Sequence, residues 1–171
     1  MKQLIFVVEA DAKNKSDNRY INKLILERYD LTNNDVKIQF VNMGGKYKYK
    51  NTSTTTQINK YIRDNKKGQN FVIYCFDTDK IDCEQNNKNI FKLEKEYCIT
   101  NKFHLIWFNY DIEYVLLGKT IESSKKKEES IKYQRKAINI PYNKLSCKNE
   151  NQKGYSNIFL VLDNLLPIKS C

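Results

Sequence analysis

The fold is decided by the stretch Phe71-Val-Ile-Tyr-Cys-Phe-Asp77-Thr-Asp79-Lys80, where an unbroken apolar and aromatic run stops at two carboxylates. A strand that is covered on both faces reads as a continuous apolar run of this length. Open α/β sheets bind ligands beyond the carboxyl ends of their strands, which is where Asp77 and Asp79 fall. Carboxylates this close repel each other unless a cation is present, and Mg²⁺ is the ion that such pairs usually hold. The alternative is a solvated turn, because Asp is common just after a strand.

Three further strands are predicted around this one. Residues 3–8 form a short buried strand with Glu9 at its carboxyl end, residues 36–41 alternate apolar and polar side chains, and residues 103–108 are a fourth apolar run. The order β-α-β-α-β-α-β-α implies right-handed crossovers and an α/β fold with a mainly parallel sheet. Glu9 reaches the two aspartates only if the first and third strands are neighbours, so we predict the strand order 2-1-3-4.

The spacing of apolar residues predicts the helices that flank the sheet. The first covers about residues 17–29 and is capped by Ser16, and the third covers about residues 86–99. The inward-facing residues are expected to be Ile21, Leu24 and Ile25 in the first helix, Ile58, Tyr61 and Ile62 in the second, and Ile90, Leu93 and Tyr97 in the third. A short helix over 112–117 ends at Gly118, and a closing helix over 157–166 ends at Pro167.

The chain of 171 residues is expected to be one domain, with a core at about 2–118, a basic segment at 119–136 and the closing helix. The basic segment is either a mobile loop or an exposed helix, and residues 143–154 are expected to be loop. The net charge of +10 favours polyanionic partners such as nucleic acid. AT-rich coding, which overuses Lys, Asn, Ile and Tyr, produces the same excess.

The cysteines and the single histidine argue against certain kinds of metal site and catalytic group. The five cysteines form no C-x-x-C pair and are odd in number, which indicates reduced thiols and a cytoplasmic location. The single histidine, His104, lies in an apolar run, which argues against a Cys/His zinc site and against a histidine general base. The first apolar run, residues 4–8, is too short for a signal peptide or a membrane span, so no membrane association is expected.

A Glu after strand one, in Val7-Val-Glu9, and an Asp-x-Asp after strand three resemble the pattern of a TOPRIM domain. The segment Phe108-Asn109-Tyr-Asp-Ile-Glu113-Tyr-Val-Leu-Leu117 is similar to a helix with Asn-x-x-x-Glu in the small RloB-like TOPRIM proteins, relatives of the OLD nucleases. The resemblance covers about residues 2–118. The family usually has Gly after the Glu, where this chain has Ala10.

The resemblance implies metal-dependent phosphodiester chemistry on RNA or DNA, with a nuclease in phage defence as the leading interpretation. Asp77, Asp79 and Glu9 would hold Mg²⁺ or Mn²⁺, and Glu9 would also act as the acid or base. A metal between carboxylates polarises a phosphoryl oxygen and neutralises developing charge. A partner protein encoded alongside is a further expectation. The alternative is a non-catalytic nucleic-acid or nucleotide-binding module. A receiver-type regulator is disfavoured, because a receiver has a pair of acids after strand one and a single Asp after strand three, which is the reverse of this chain.

Four residues are candidates for a supporting shell. Asp82 is an outer ligand or a solvated loop acid, and Lys80 meets a phosphate or balances the charge of the aspartates. Glu113 belongs to the site or gains from the dipole of its own helix. Asn109 positions the loop or is a turn residue.

Two basic segments are candidates for nucleic-acid binding. The first combines cations and stacking rings as single-strand binders do, in Lys46, Tyr47, Lys48, Tyr49 and Lys50. The alternative for it is an exposed β-type segment. The second is the run Lys125, Lys126 and Lys127, for which a solvated face is the alternative. We also expect residues 119–127 to be mobile or only locally ordered, because they have almost no apolar side chains to bury.

Overall fold

Four parallel strands form the centre of the protein in a computed structural model that describes residues 1–32, 35–79, 84–137 and 141–169. The strands are β1 (Lys2–Val8), β2 (Val36–Asn42), β3 (Gln69–Asp77) and β4 (His104–Phe108). Their order in the sheet is β2-β1-β3-β4, and every pairing is parallel. The predicted α/β class and strand order are therefore confirmed.

Helices follow or connect the strands and cover both faces of the sheet. They are α1 (Ser16–Arg28), α2 (Thr52–Asp64), α3 (Gln85–Thr100), α4 (Ile112–Leu117), α5 (Lys126–Arg135), α6 (Tyr142–Leu145) and α7 (Ile158–Leu162). A single 3₁₀ turn, Lys46–Lys48, precedes α2. No helix within these described ranges combines the length and the apolar character needed to cross a bilayer.

The two hydrophobic cores explain why β1 is apolar at every position from Leu4 to Val8. Leu4, Phe6 and Val8 pack in one core with residues of α1 and α7. Ile5 and Val7 point to the other face, in a core with residues of α2 and α3. Since successive side chains of a strand alternate between faces, a strand covered on both sides must be apolar throughout.

The third helix buries a different face from the one predicted. Phe91, Glu94 and Cys98 are buried, whereas Leu93 is 55% exposed. Tyr97 packs at the margin of the core. Residues 91, 94 and 98 have the same helical spacing as the predicted residues 90, 93 and 97. Because Glu94 is charged, the sequence does not show positions 91, 94 and 98 as an apolar face.

The ends of the chain's helices also differ from the predictions. Ser16 does not cap α1: it is the first helical residue, and its hydroxyl donates to Asp17 Oδ1 at 3.0 Å. The closing helix is shorter than predicted, ending at Leu162, and turns continue the chain to Leu166. Residues 143–154, expected to be loop, include most of α6. Residues 119–125 precede α5, and their mobility stays a prediction.

Candidate functional site

Glu9 and Asp77 meet at the carboxyl edge of the sheet. Val8 pairs with Cys75 in the parallel register of β1 and β3, so the residue after β1 lies beside the end of β3. Glu9 Oε1 accepts a hydrogen bond of 2.9 Å from the Asp77 backbone nitrogen. Asp77 Oδ1 accepts one of 3.1 Å from the nitrogen of Ile112, the first residue of α4. Strand pairing and a helix start therefore fix both acids.

Asp79 lies next to this pair but is engaged elsewhere. Its carboxylate forms an ion pair with the Lys46 ammonium group, and its side chain is 48% exposed. Its backbone has a left-handed φ of 41°, and its nitrogen donates to the Tyr110 carbonyl oxygen at 2.9 Å. The turn after β3 thus directs Asp79 toward the segment that follows β2.

A cleft of about 290 Å³ opens beside Glu9 and Asp77. Asp17 and Lys126 also line it, and the Asp17 carboxylate accepts a hydrogen bond of 2.9 Å from the Ala10 nitrogen. Asp17 was not among the predicted site residues. Its signal in the sequence is only a carboxylate in the first turn of a helix, which occurs in many helices that bind nothing.

Crowding of acids in partly buried surroundings shifts their proton affinity. Burial raises the pKa of Glu9 well above its ordinary value, against the opposing effects of Lys46 and the Asp77 amide. Burial also raises the pKa of Asp77, and the neighbouring acids Glu9, Asp17 and Glu113 raise it further. Because each carboxylate disfavours ionisation of the next, the edge favours either bound protons or a bound cation.

One lysine enters this acidic edge from outside the core domain predicted from sequence. The Lys126 ammonium group lies 3.0 Å from Glu113 Oε2, and Glu113 is fully buried. Burial alone lowers the pKa of Lys126, but Glu113 and Asp77 together raise it above its ordinary value. Lys126 is therefore a counter-ion of the acidic cluster. It links Glu113, with which it forms an ion pair, to the other acids of the site.

A second buried acid, Glu94, interacts electrostatically with Lys46. Glu94 of α3 is fully buried, and neither of its carboxylate oxygens has a hydrogen-bond partner in the described part of the chain. Burial raises its pKa to about 8, opposed by Lys46 and assisted by Asp79. Glu94 was not among the residues of this helix that were predicted to face inward, which were Ile90, Leu93 and Tyr97.

The other predicted supporting residues lie in different places. Asn109 is buried, and its Nδ2 donates to the Glu150 carbonyl oxygen at 2.6 Å, so it holds a later loop against β4. Glu113 belongs to the acidic edge, as described above. Lys80 and Asp82 lie outside the described residues.

The first basic segment is only partly available to a ligand. Lys46 and Tyr49 are buried, and the Tyr49 ring packs against Phe76. Tyr47 is 66% exposed, and Lys48 and Lys50 are also exposed. The segment is a 3₁₀ turn rather than an extended strand.

The second basic segment is also only partly available to a ligand. Lys125 is exposed and pairs with Glu122 at 2.9 Å, and Lys127 is exposed as well. Lys126 between them points into the acidic edge. The helical period of α5 separates neighbouring lysines, since side chains one position apart do not share a face.

Comparison of the chain with models of protein families, with curated proteins and with solved structures found no significant match in any of the three. The functional argument therefore rests on the chemistry of the acidic edge and on the pattern of its residues.

The donor set at this edge suits a hard divalent cation. Glu9, Asp77 and Asp17 offer only oxygen atoms to the cleft. Across the described ranges, no three His, Cys, Asp or Glu side chains are already arranged around one ion position. Mg²⁺ does not require such a cage, because it is usually held by one or two carboxylates together with water and phosphate oxygens. The chemistry of these side chains therefore fits Mg²⁺ or Mn²⁺.

Proposed function

We propose that the protein is a TOPRIM-type phosphodiesterase that uses Mg²⁺ or Mn²⁺ to cleave nucleic acid. The observation that carries the proposal is the meeting of Glu9 and Asp77 at the carboxyl edge of adjacent parallel strands, beside an open acidic cleft. The net charge of +10 supports a polyanionic substrate. A setting in phage defence and a partner protein remain part of the proposal.

The residues have distinct roles in this proposal. Asp77 and Glu9 would hold the metal, with Asp79 as a third ligand once Lys46 moves away. The bound ion would polarise the phosphoryl oxygen and neutralise developing charge. Glu9 would transfer the proton to or from the oxygen at phosphorus, and burial raises its pKa above the ordinary value of a glutamate.

A second candidate function is a nucleic-acid-binding module without turnover. It is favoured by the two internal lysines, because Lys46 already pairs with Asp79 and Lys126 already pairs with Glu113. In such a module the acids would stabilise the fold through these pairs. Metal binding without cleavage would identify it.

The test is a cleavage assay on labelled single- and double-stranded RNA and DNA in Mg²⁺, Mn²⁺ or chelator. Glu9→Gln and Asp77→Asn should each lose about 10²-fold or more of the metal-dependent activity. Asp64→Asn and Glu96→Gln are matched controls, because both acids are exposed on helices away from the cleft. A wild-type protein that binds no divalent metal at millimolar concentration and cleaves nothing would refute the proposal.

A further inference from the structure

Two tyrosines and a lysine form a compact group beside the acidic edge. Tyr110 precedes α4 and Tyr114 lies one turn later, with their ring centroids 5.1 Å apart and the rings inclined at 32°. The Lys153 ammonium group lies 4.2 Å from the Tyr110 centroid and 5.1 Å from the Tyr114 centroid. Both tyrosines are partly exposed, and Lys153 is exposed. The group therefore offers aromatic surface and a positive charge to solvent.

The backbone ties this group directly to the predicted catalytic acids. The Tyr110 carbonyl oxygen accepts a hydrogen bond of 2.9 Å from the Asp79 nitrogen. The Tyr110 nitrogen donates to Thr78 Oγ1 at 3.2 Å. Two residues after Tyr110, the Ile112 nitrogen donates to Asp77 Oδ1. The same short segment therefore fixes both the aromatic group and the aspartates.

The conformation at Tyr110 is unfavourable for the residue that occupies it. Its φ of 80° lies in the left-handed region, which a bulky aromatic residue rarely adopts and which glycine adopts freely. Strained residues of this kind cluster at ligand-binding and catalytic sites. The chain thus keeps an aromatic side chain where the backbone alone would favour glycine.

The Tyr114 ring is held by a close approach of the backbone. Gly154 is buried with a φ of 76°, and a Cβ atom at this position would lie 3.2 Å from the Tyr114 ring. A side chain at this position would be strained by the φ value and would require the Tyr114 ring to shift by a few tenths of an ångström. The loop that carries Lys153 is therefore packed tightly against the tyrosine pair.

We propose that Tyr110 and Tyr114 form a stacking platform for an unpaired base of single-stranded nucleic acid, with Lys153 contacting a phosphate of the same strand. This inference rests on the proposed function and names its substrate class. Aromatic faces next to a cation suit single strands, because bases in a duplex are already stacked on each other. Lys153 has a long exposed side chain, so its ammonium group can leave the ring for a phosphate when a base takes its place.

The test measures binding of a labelled single-stranded oligonucleotide by fluorescence anisotropy in chelator, where metal-dependent cleavage is absent. Tyr110→Leu and Tyr114→Leu should each weaken binding about fivefold or more, and Tyr114→Phe should retain it. Tyr142→Leu is the matched control, because Tyr142 is an exposed tyrosine that packs on Phe159 and Arg28. Lys153→Gln should lower the salt slope of binding by about 0.7, and Lys66→Gln should leave it unchanged.

A measurement on the unaltered protein guards against variants that fail to fold. Wild-type protein should bind an oligonucleotide of abasic sites at least about fivefold more weakly than one with bases. Equal affinity for the two, or preference for a duplex, would overturn the platform. Metal-dependent cleavage with unchanged binding by the tyrosine variants would overturn the platform and leave the nuclease proposal standing. Base-dependent binding that needs the tyrosines, without any cleavage, would support the platform and overturn the nuclease proposal.

Discussion

Glu94 should make the stability of this protein fall as pH rises, and its replacement by glutamine should remove that loss. The carboxylate is fully buried without a hydrogen-bond partner in the described ranges, and burial raises its pKa from 4.5 to about 8. Between these two values the unfolded chain releases the proton while the folded chain retains it. Since the folded state then binds more protons, the free energy of unfolding decreases with pH across this window.

The magnitude follows from the separation of the two pKa values. A difference of about 3.5 pH units, at about 1.4 kcal/mol per unit, amounts to a loss of up to about 5 kcal/mol above pH 8. Glutamine has nearly the same shape and no charge at any pH. The free energy of unfolding of Glu94→Gln minus that of the wild type should therefore rise by about 4 kcal/mol from pH 5 to pH 8.

Urea denaturation in chelator at several pH values between 5 and 8 measures this difference. Any fixed cost of burying the glutamine amide is the same at each pH and cancels from the trend. Glu96→Gln is the matched control, because it removes a carboxylate from the same helix at a position where the side chain is exposed. A Glu94→Gln difference that stays constant within about 1 kcal/mol would refute the reasoning and indicate that Lys46 keeps Glu94 ionised.

Three further outcomes are expected from the acidic edge and the basic surface. Asp77→Asn should weaken Mn²⁺ binding in a calorimetric titration, because the amide lacks the charge that the cation needs, whereas Glu9→Gln should retain more affinity while losing about 10²–10⁴-fold in turnover. Lys126→Met should lower the free energy of unfolding by about 3 kcal/mol at pH 7 and by less as the pH falls, because burial raises the pKa of Glu113 and a protonated Glu113 no longer needs the lysine; equal losses at every pH would contradict this. Lys48→Ala should reduce the slope of the logarithm of the nucleic-acid binding constant against the logarithm of the salt concentration by up to about one. An unchanged slope would exclude a phosphate contact at Lys48.

The sheet could be predicted from the sequence because each strand has a clear local pattern. The continuous apolar runs of β1 and β3 correspond to burial on both faces, from Leu4 to Val8 and from Val72 to Phe76. The strand order came from a different kind of argument, the requirement that Glu9 reach the acids after β3. That requirement makes β1 and β3 neighbours, as they are in the observed order 2-1-3-4, because parallel strands place their carboxyl ends at one edge.

The environment of the acids could not be predicted in the same way. Asp17 and Lys126 lie more than a hundred positions apart and meet only because α5 packs on α1, with the rings of Tyr20 and Tyr133 5.0 Å apart. Nothing local distinguishes Lys126 from its exposed neighbours. Glu94 was missed for the opposite reason, because a charged residue at an inward helical position is read as evidence that the position faces solvent.

The balance of charges at the carboxyl edge connects the stability of the fold to its proposed chemistry. On the cleft side Lys126 interacts with several acids, and on the other side Lys46 interacts with both Asp79 and Glu94. One ammonium group cannot neutralise several carboxylates, so the remaining negative charge must be met by protons or by a metal ion. In the proposed site, protons, lysines and a divalent cation would therefore compete for the same oxygen atoms. A nuclease and a binding module of this fold would differ in the outcome of that competition at neutral pH, rather than in which acids they possess.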